Sequence, residues 1–203
     1  MRAAILTALI LLFGMTTADA YAQRSASPRG EAATQIGGAY EGGDYSGGKW
    51  VVVDYGRPIL RGRTNIFGEG ESRGEKVNGG APVWRAGANK STRLMTEADL
   101  QFGEHTLPAG EYSLFVDLGS DSSTLILSSH GAKDSYREDT DGLWGSYNYT
   151  PDKDVLRVAM DVSQQDRSVD QFTISFVGMT QMGGTLALMW ENAVMTADFS
   201  LAQ

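Results

Sequence analysis

Thr92-Arg93-Leu94-Met95-Thr96-Glu97-Ala98-Asp99-Leu100-Gln101-Phe102 is the stretch on which the reading of the whole chain turns. Thr92, Leu94, Thr96, Ala98, Leu100 and Phe102 alternate with Arg93, Met95, Glu97, Asp99 and Gln101. A period of two places the first set on one face and the second on the other, so the spacing predicts one half-buried β-strand. Gly103-Glu104-His105-Thr106-Leu107-Pro108-Ala109-Gly110 then turns the chain. Tyr112, Leu114 and Val116 resume the alternation against Glu111, Ser113 and Asp117.

The same period recurs on both sides of this pair. Trp50 to Tyr55 is a Val-rich strand, and Ser123 to Ser129 is apolar on both faces around Leu125, Ile126 and Leu127, as a central strand would be. Leu156 to Val162, Gln171 to Phe176, Leu186 to Trp190 and Ala193 to Phe199 supply the remainder. No window carries a 3.6-residue stripe. Eight or nine short strands separated by Gly and Pro predict an all-β domain, an antiparallel β-sandwich or jelly-roll-like fold, with a closed barrel as the alternative. The charged insertion Gly131 to Gly142 reads as a solvated surface loop.

The N-terminal end has a different character. Arg2, the apolar run Ala3 to Phe13, and Ala18-Asp19-Ala20 or Ala20-Tyr21-Ala22 make residues 1–22 an expected export signal, a buried helix being the other reading. The apolar run is too short for the ~20 residues of a membrane span. Residues 23–48, rich in Gly, Ser, Ala, Gln and Glu, read as a flexible linker, leaving 49–203 as the single folded domain. The expected location is the periplasm or the cell exterior. Losing residues 1–22 removes Arg2 and Asp19, one charge of each sign, so the net charge stays at −8. An acidic domain without a lysine-rich run is a poor match for nucleic acid. With no cysteine there is no disulfide framework, thiolate metal site or Cys nucleophile.

The motifs that would announce chemistry are missing. His105, placed in the predicted turn, and His130 stand alone, so no metal site and no cofactor is expected. Asp139-Thr140-Asp141-Gly142 resembles a calcium loop, yet that alignment puts Arg137 in the first ligand position and Asn148 in the twelfth. There is no Gly-x-Ser-x-Gly elbow, and no amphipathic helical pattern follows Gly68, Gly70 and Gly74 as a dinucleotide loop requires.

What remains is an arginine-rich segment. If residues 57–63 form a strand, Arg57, Arg61 and Arg63 share the face of Ile59, either capping carbonyls and pairing with acids or forming an anion pocket. Trp84-Arg85-Ala86-Gly87-Ala88-Asn89 offers two donors beside an indole, with Gly87 marking a close backbone approach.

These residues also carry a family likeness. Tyr55-Gly56-Arg57-Pro58, Arg61-Gly62-Arg63, Val83-Trp84-Arg85-Ala86-Gly87-Ala88-Asn89, Leu107-Pro108-Ala109-Gly110-Glu111-Tyr112, Trp144-Gly145-Ser146-Tyr147 and Trp190-Glu191 resemble the bacterial exported family called domain of unknown function 2911. The likeness runs from about Trp50 to the C-terminus and implies a signal peptide and a β-rich body. It implies no reaction, cofactor or catalytic residue.

The functional expectation is a non-catalytic module binding a small polar ligand, a glycan or an envelope protein partner. Its candidate residues are Arg61, Arg63, Trp84, Arg85, Asn89, Trp144 and Glu191. The alternatives are a hydrolase-like extracytoplasmic enzyme combining Arg85 and Asn89 with Glu191, or a structural component of the envelope.

Overall fold

Among the described residues, alternation becomes pairing in nine antiparallel strands. They are β1 (Arg29–Glu41), β2 (Asp44–Gly56), β3 (Thr92–Thr96), β4 (Leu100–Phe102), β5 (His105–Leu107), β6 (Gly110–Leu118), β7 (Ser123–Ser128), β8 (Asp154–Thr180) and β9 (Gly183–Leu201). The computed structural model describes residues 25–203, so the expected signal at 1–22 lies outside the described residues. The strands form one sheet in the order β1-β2-β3-β6-β7-β8-β9-β4-β5.

β8 joins the two halves of this sheet. Its first part, Asp154 to Met160, pairs with β7, and the rest, Asp161 to Thr180, pairs with β9. Val51, Val53, Leu94, Leu114 and Leu125 from one half meet Phe172, Leu186, Leu188, Trp190 and Phe199 from the other in one buried cluster. The sheet is thus folded over into two layers around this main core. Each large side chain buried there contributes about 1.5–3 kcal/mol relative to exposure. Two ties close the far side: Gly37 N–H donates to the Gln181 carbonyl at 2.6 Å, and Ile174 N–H donates to the Tyr55 hydroxyl at 2.9 Å.

β7 is the central strand its composition suggested, with Leu125 and Leu127 in the main core. Ile126 points the other way, joining Val83, Phe115, Leu143 and Tyr149 in a second, smaller core. That second core is what the segment following the charged insertion covers. Residues 134–141 are solvent-exposed, as a surface loop should be. Ser91 Oγ–H, shared between the carbonyls of Gly145 (2.5 Å) and Leu143 (3.2 Å), fastens the segment to the body.

Several expectations need correction. Residues 29–48 are not a flexible linker but all of β1 and the start of β2, paired from Arg29–Gly56 to Glu41–Asp44. Gly42 and Gly43 form the two-residue turn, with φ of 62° and 100°, the mirror-image geometry that glycine adopts at no steric cost. Ile36 from β1 is fully buried. The alternating stretch 92–102 keeps its buried face but is two strands: β3 pairs with β2 and β6, whereas β4 pairs with β5 and β9. His105 opens β5 rather than sitting in a turn. The strands expected at 156–162 and 171–176 are one continuous β8, and those at 186–190 and 193–199 are one β9.

Candidate functional site

The segment between β2 and β3 is held almost entirely by groups that satisfy backbone. At Gly56 a Cβ would overlap the Ala88 carbonyl, and at Gly87 it would lie 2.8 Å from the Gly56 carbonyl oxygen, so glycine is required on both sides of this crossing. Pro58 and Leu60 tack onto β8: Phe172 N–H donates to the Pro58 carbonyl (2.9 Å), and Leu60 N–H to the Asp170 carbonyl (2.8 Å). Residues 57–63 therefore contain only an isolated bridge, Ile59 to Gln171, and not the expected strand. Arg61 and Gly62, with φ of 51° and 78°, reverse the chain and break the shared arginine face.

Each arginine of the trio then finds carbonyls instead of acids. Arg57 Nε donates to the Phe172 carbonyl (3.2 Å), and Arg61 Nη2 to that of Ala26 (3.1 Å). Arg63 donates to the carbonyls of Leu60 (3.0 Å) and Ile59 (2.8 Å), and its guanidinium lies 5.8 Å from the Trp190 ring centre. Of the three, Arg63 lines a concavity.

That concavity is a cleft of about 340 Å³ lined by Arg63, Lys76, Trp84, Arg85, Asn89 and Trp190, among others. No carboxylate lines it. Trp84 and Trp190 are both buried and stack at 6.2 Å with an interplanar angle of 11°. Lys76 donates to the Asn65 carbonyl (2.9 Å) and Arg85 to that of Asn89 (2.8 Å). Asn89, at φ 66°, directs its amide to the Ser27 carbonyl at 3.2 Å. Among the described residues Arg63, Lys76 and Arg85 make no ion pair.

Glu191 lies elsewhere. Its carboxylate accepts the N–H groups of Asn65 (2.7 Å) and Ile66 (2.9 Å), a clamp on the turn leading to Lys76. The residue itself adopts φ 55°, where the register of β8 against β9 shifts. It lines a separate hollow of about 500 Å³ with Arg73, Asp121 and Gln164, so it does not join Arg85 and Asn89. Arg73 in that hollow donates to the carbonyls of Gly119 (2.7 Å) and Ser122 (2.6 Å), and burial lowers its pKa against the opposing charge of Asp121.

Trp144 lies in a third concavity of about 380 Å³, together with Lys133, Tyr136, Tyr147 and Asn148. Beneath this region, burial first and then the Asp154 carboxylate push the Tyr149 phenol well above the ordinary tyrosine range. The phenol donates to Asp154 at 2.7 Å and accepts from Arg157 at 3.1 Å. Lys76, Tyr136 and Tyr147 line these concavities although sequence reasoning did not single them out. Only Tyr147 had a signal, its place in the Trp144-Gly145-Ser146-Tyr147 motif.

Arg63, Trp84, Arg85 and Asn89 thus come together, while Arg61, Trp144 and Glu191 do not join them. The molecule is an all-β domain with a cleft lined by Arg63, Lys76 and Arg85 in the coil between β2 and β3. More narrowly, the chain belongs to the family described as protein of unknown function DUF2911, whose profile matches residues 42–199. The match begins at Gly42, in the turn between β1 and β2, so β1 lies outside it. No curated protein and no solved structure matches the chain.

Proposed function

We propose that this protein is an exported, non-catalytic binding module that takes a small polar anion in the cleft of Arg63, Lys76 and Arg85. The observation that carries the reading is three cations in one cleft with no acid lining it, on a chain of net charge −8. In an acidic protein, cations bonded only to neutral carbonyls keep most of their field for an incoming charge, and guanidinium forks match planar oxyanions. Asn89 adds a neutral donor site beside them, and the indoles exclude water from one side. Export rests on the form of residues 1–22. Glu191, the acid an enzymatic reading would need, is already bonded to two backbone N–H groups.

A thermal-shift panel of carboxylates, phosphates, sulfates and neutral sugars tests this. A saturating anion should raise the melting temperature by roughly 5–10 °C at a hundredfold excess over Kd. Lys76→Gln, an exposed change, should weaken that shift, and added salt should weaken it further. A shift that survives both Lys76→Gln and Arg85→Ala, or no shift with any anion, would refute the proposal.

A further inference from the structure

Arg85 touches more than the cleft. Its guanidinium carbon sits 5.7 Å from the ring centre of Tyr147, and a Cβ at Gly145 would lie 2.6 Å from its Nη1. Gly145 has φ 66°, so glycine is needed there both for the backbone and for the space Arg85 occupies. Tyr147 is also a wall of the neighbouring concavity of about 380 Å³. The cation of the cleft and the aromatic wall of the next hollow are therefore one stacked unit.

The lining of that hollow is unusual for an outer surface. Tyr136 is 72% exposed and Tyr147 51% exposed, and Tyr136 meets Trp144 edge-on at 6.1 Å. Lys133 and Asn148 supply donors at the same wall, and no carboxylate lines it. Nearby Asp134 is paired with Arg93 at 2.9 Å, and Glu138 accepts the Asp134 N–H at 2.9 Å. Every lining residue lies outside the named strands, so no backbone edge is offered on which a peptide could add a strand. Exposed ring faces with an amide and an ammonium beside them suit a ligand having both apolar C–H faces and hydroxyls. The C–H face of a pyranose meets the negative face of an aromatic ring, and its hydroxyls meet the polar donors.

We propose that this hollow is a saccharide subsite continuous with the cationic cleft. The two together take an acidic oligosaccharide, with one ring on Tyr136, Trp144 and Tyr147 and an acid group on Arg63, Lys76 and Arg85. This rests on the anion reading of the cleft. Arg85 serves both subsites, in the cleft directly and under the sugar through the Tyr147 ring, where the cation–π contact also fixes the platform.

Calorimetric titration of the full chain separates the two ideas. The probes are tetragalacturonate, tetramannuronate and a heparin tetrasaccharide, their acidic monosaccharides, and neutral cellotetraose. At least one acidic tetrasaccharide should bind about tenfold or more tighter than its own monomer, while cellotetraose binds far more weakly. Tyr136→Ala and Tyr147→Ala, with their folding checked by melting temperature, should each collapse the tetramer-to-monomer ratio about five- to tenfold. If the monomers bind but tetramers gain nothing, or the ratio survives both tyrosine changes, the saccharide subsite is wrong while the anion cleft stands. If cellotetraose binds as well as the acidic tetramers and Lys76→Gln changes nothing, the cleft reading has failed and the joint acidic ligand with it. Silence from all three acidic tetramers overturns the proposal.

Discussion

Two short stretches, the Gly42-Gly43 turn and the crossing of Gly56 with Gly87, use glycine for different purposes. In the β1–β2 hairpin, Gly42 and Gly43 are needed for their φ angles, and a Cβ there would meet nothing within 4 Å. Between β2 and β3, Gly56 and Gly87 are needed because two backbones cross at contact distance. The first is a conformational demand and the second a packing demand. Only the second places the cleft, because the crossing positions Trp84, Arg85 and Asn89 beside the coil that carries Arg63 and Lys76.

Substitutions can test that contrast. The largest effect is expected at Gly56→Ala, where the new methyl strikes a backbone carbonyl that has little room to move. We expect a loss of about 3 kcal/mol or more in urea unfolding, together with loss of any anion-induced stabilisation. Next comes Glu191→Ala, which releases the N–H groups of Asn65 and Ile66. A loss of about 2 kcal/mol is expected for a charge-assisted pair of bonds, and Glu191→Gln should recover part of it. Gly43→Ala should cost only about 1 kcal/mol through its backbone angle. If it cost as much as Gly56→Ala, the division into angle and contact would be wrong.

The smallest expected effect lies outside both stretches. Tyr149→Phe removes the hydrogen bond to Asp154 while leaving Arg157 on that carboxylate at 2.9 Å, for a loss of about 1 kcal/mol near neutral pH. The phenol's folded pKa is raised above its unfolded value, so its stabilisation is fully present below the ordinary phenol range of about 10. It is lost progressively as pH climbs above that range towards the raised folded value. The variant should therefore lose less stability than the parent between neutral and alkaline pH, as read from melting temperatures.

Much of the fold was legible because period two survives in the buried face of nearly every strand. Thr92, Leu94, Leu100 and Phe102 are all buried, as their spacing implies. The pattern does not record that the chain leaves one half of the sheet after Thr96 and enters the other at Leu100, because both strands face the same core. The length of β8 was hidden for a related reason. Residues 163–171, between its two buried stretches, are largely exposed and lack the alternation that marks a strand. The hairpin was misread because Gly-Gly pairs suggest freedom, whereas a two-residue turn demands them.

The grouping of residues in the cleft was legible in part. Arg85, Asn89 and Trp84 lie within one short segment, so their meeting required little long-range information. Arg63 belonged with them, but the alternation argument that grouped it with Arg57 and Arg61 assumed a strand that Arg61 and Gly62 interrupt. Lys76 sits on a four-residue helix, Glu75–Asn78, whose position follows from the clamp by Glu191, 126 positions away in sequence from Asn65. No local pattern reports such a contact.

The ties that close the two layers have a consequence for how the chain assembles. Tyr55 and Ile174 are 119 positions apart, and Gln181 reaches the Gly38 carbonyl across 143. Contacts this distant require loop-closure entropy to be lost before they contribute, which slows the search for the native state. The edge of β1 facing the second layer is uncovered until those contacts form. Refolding should accordingly be slow, on the millisecond-to-second scale of non-local β topologies, with an interval in which that open edge is the main route to self-association.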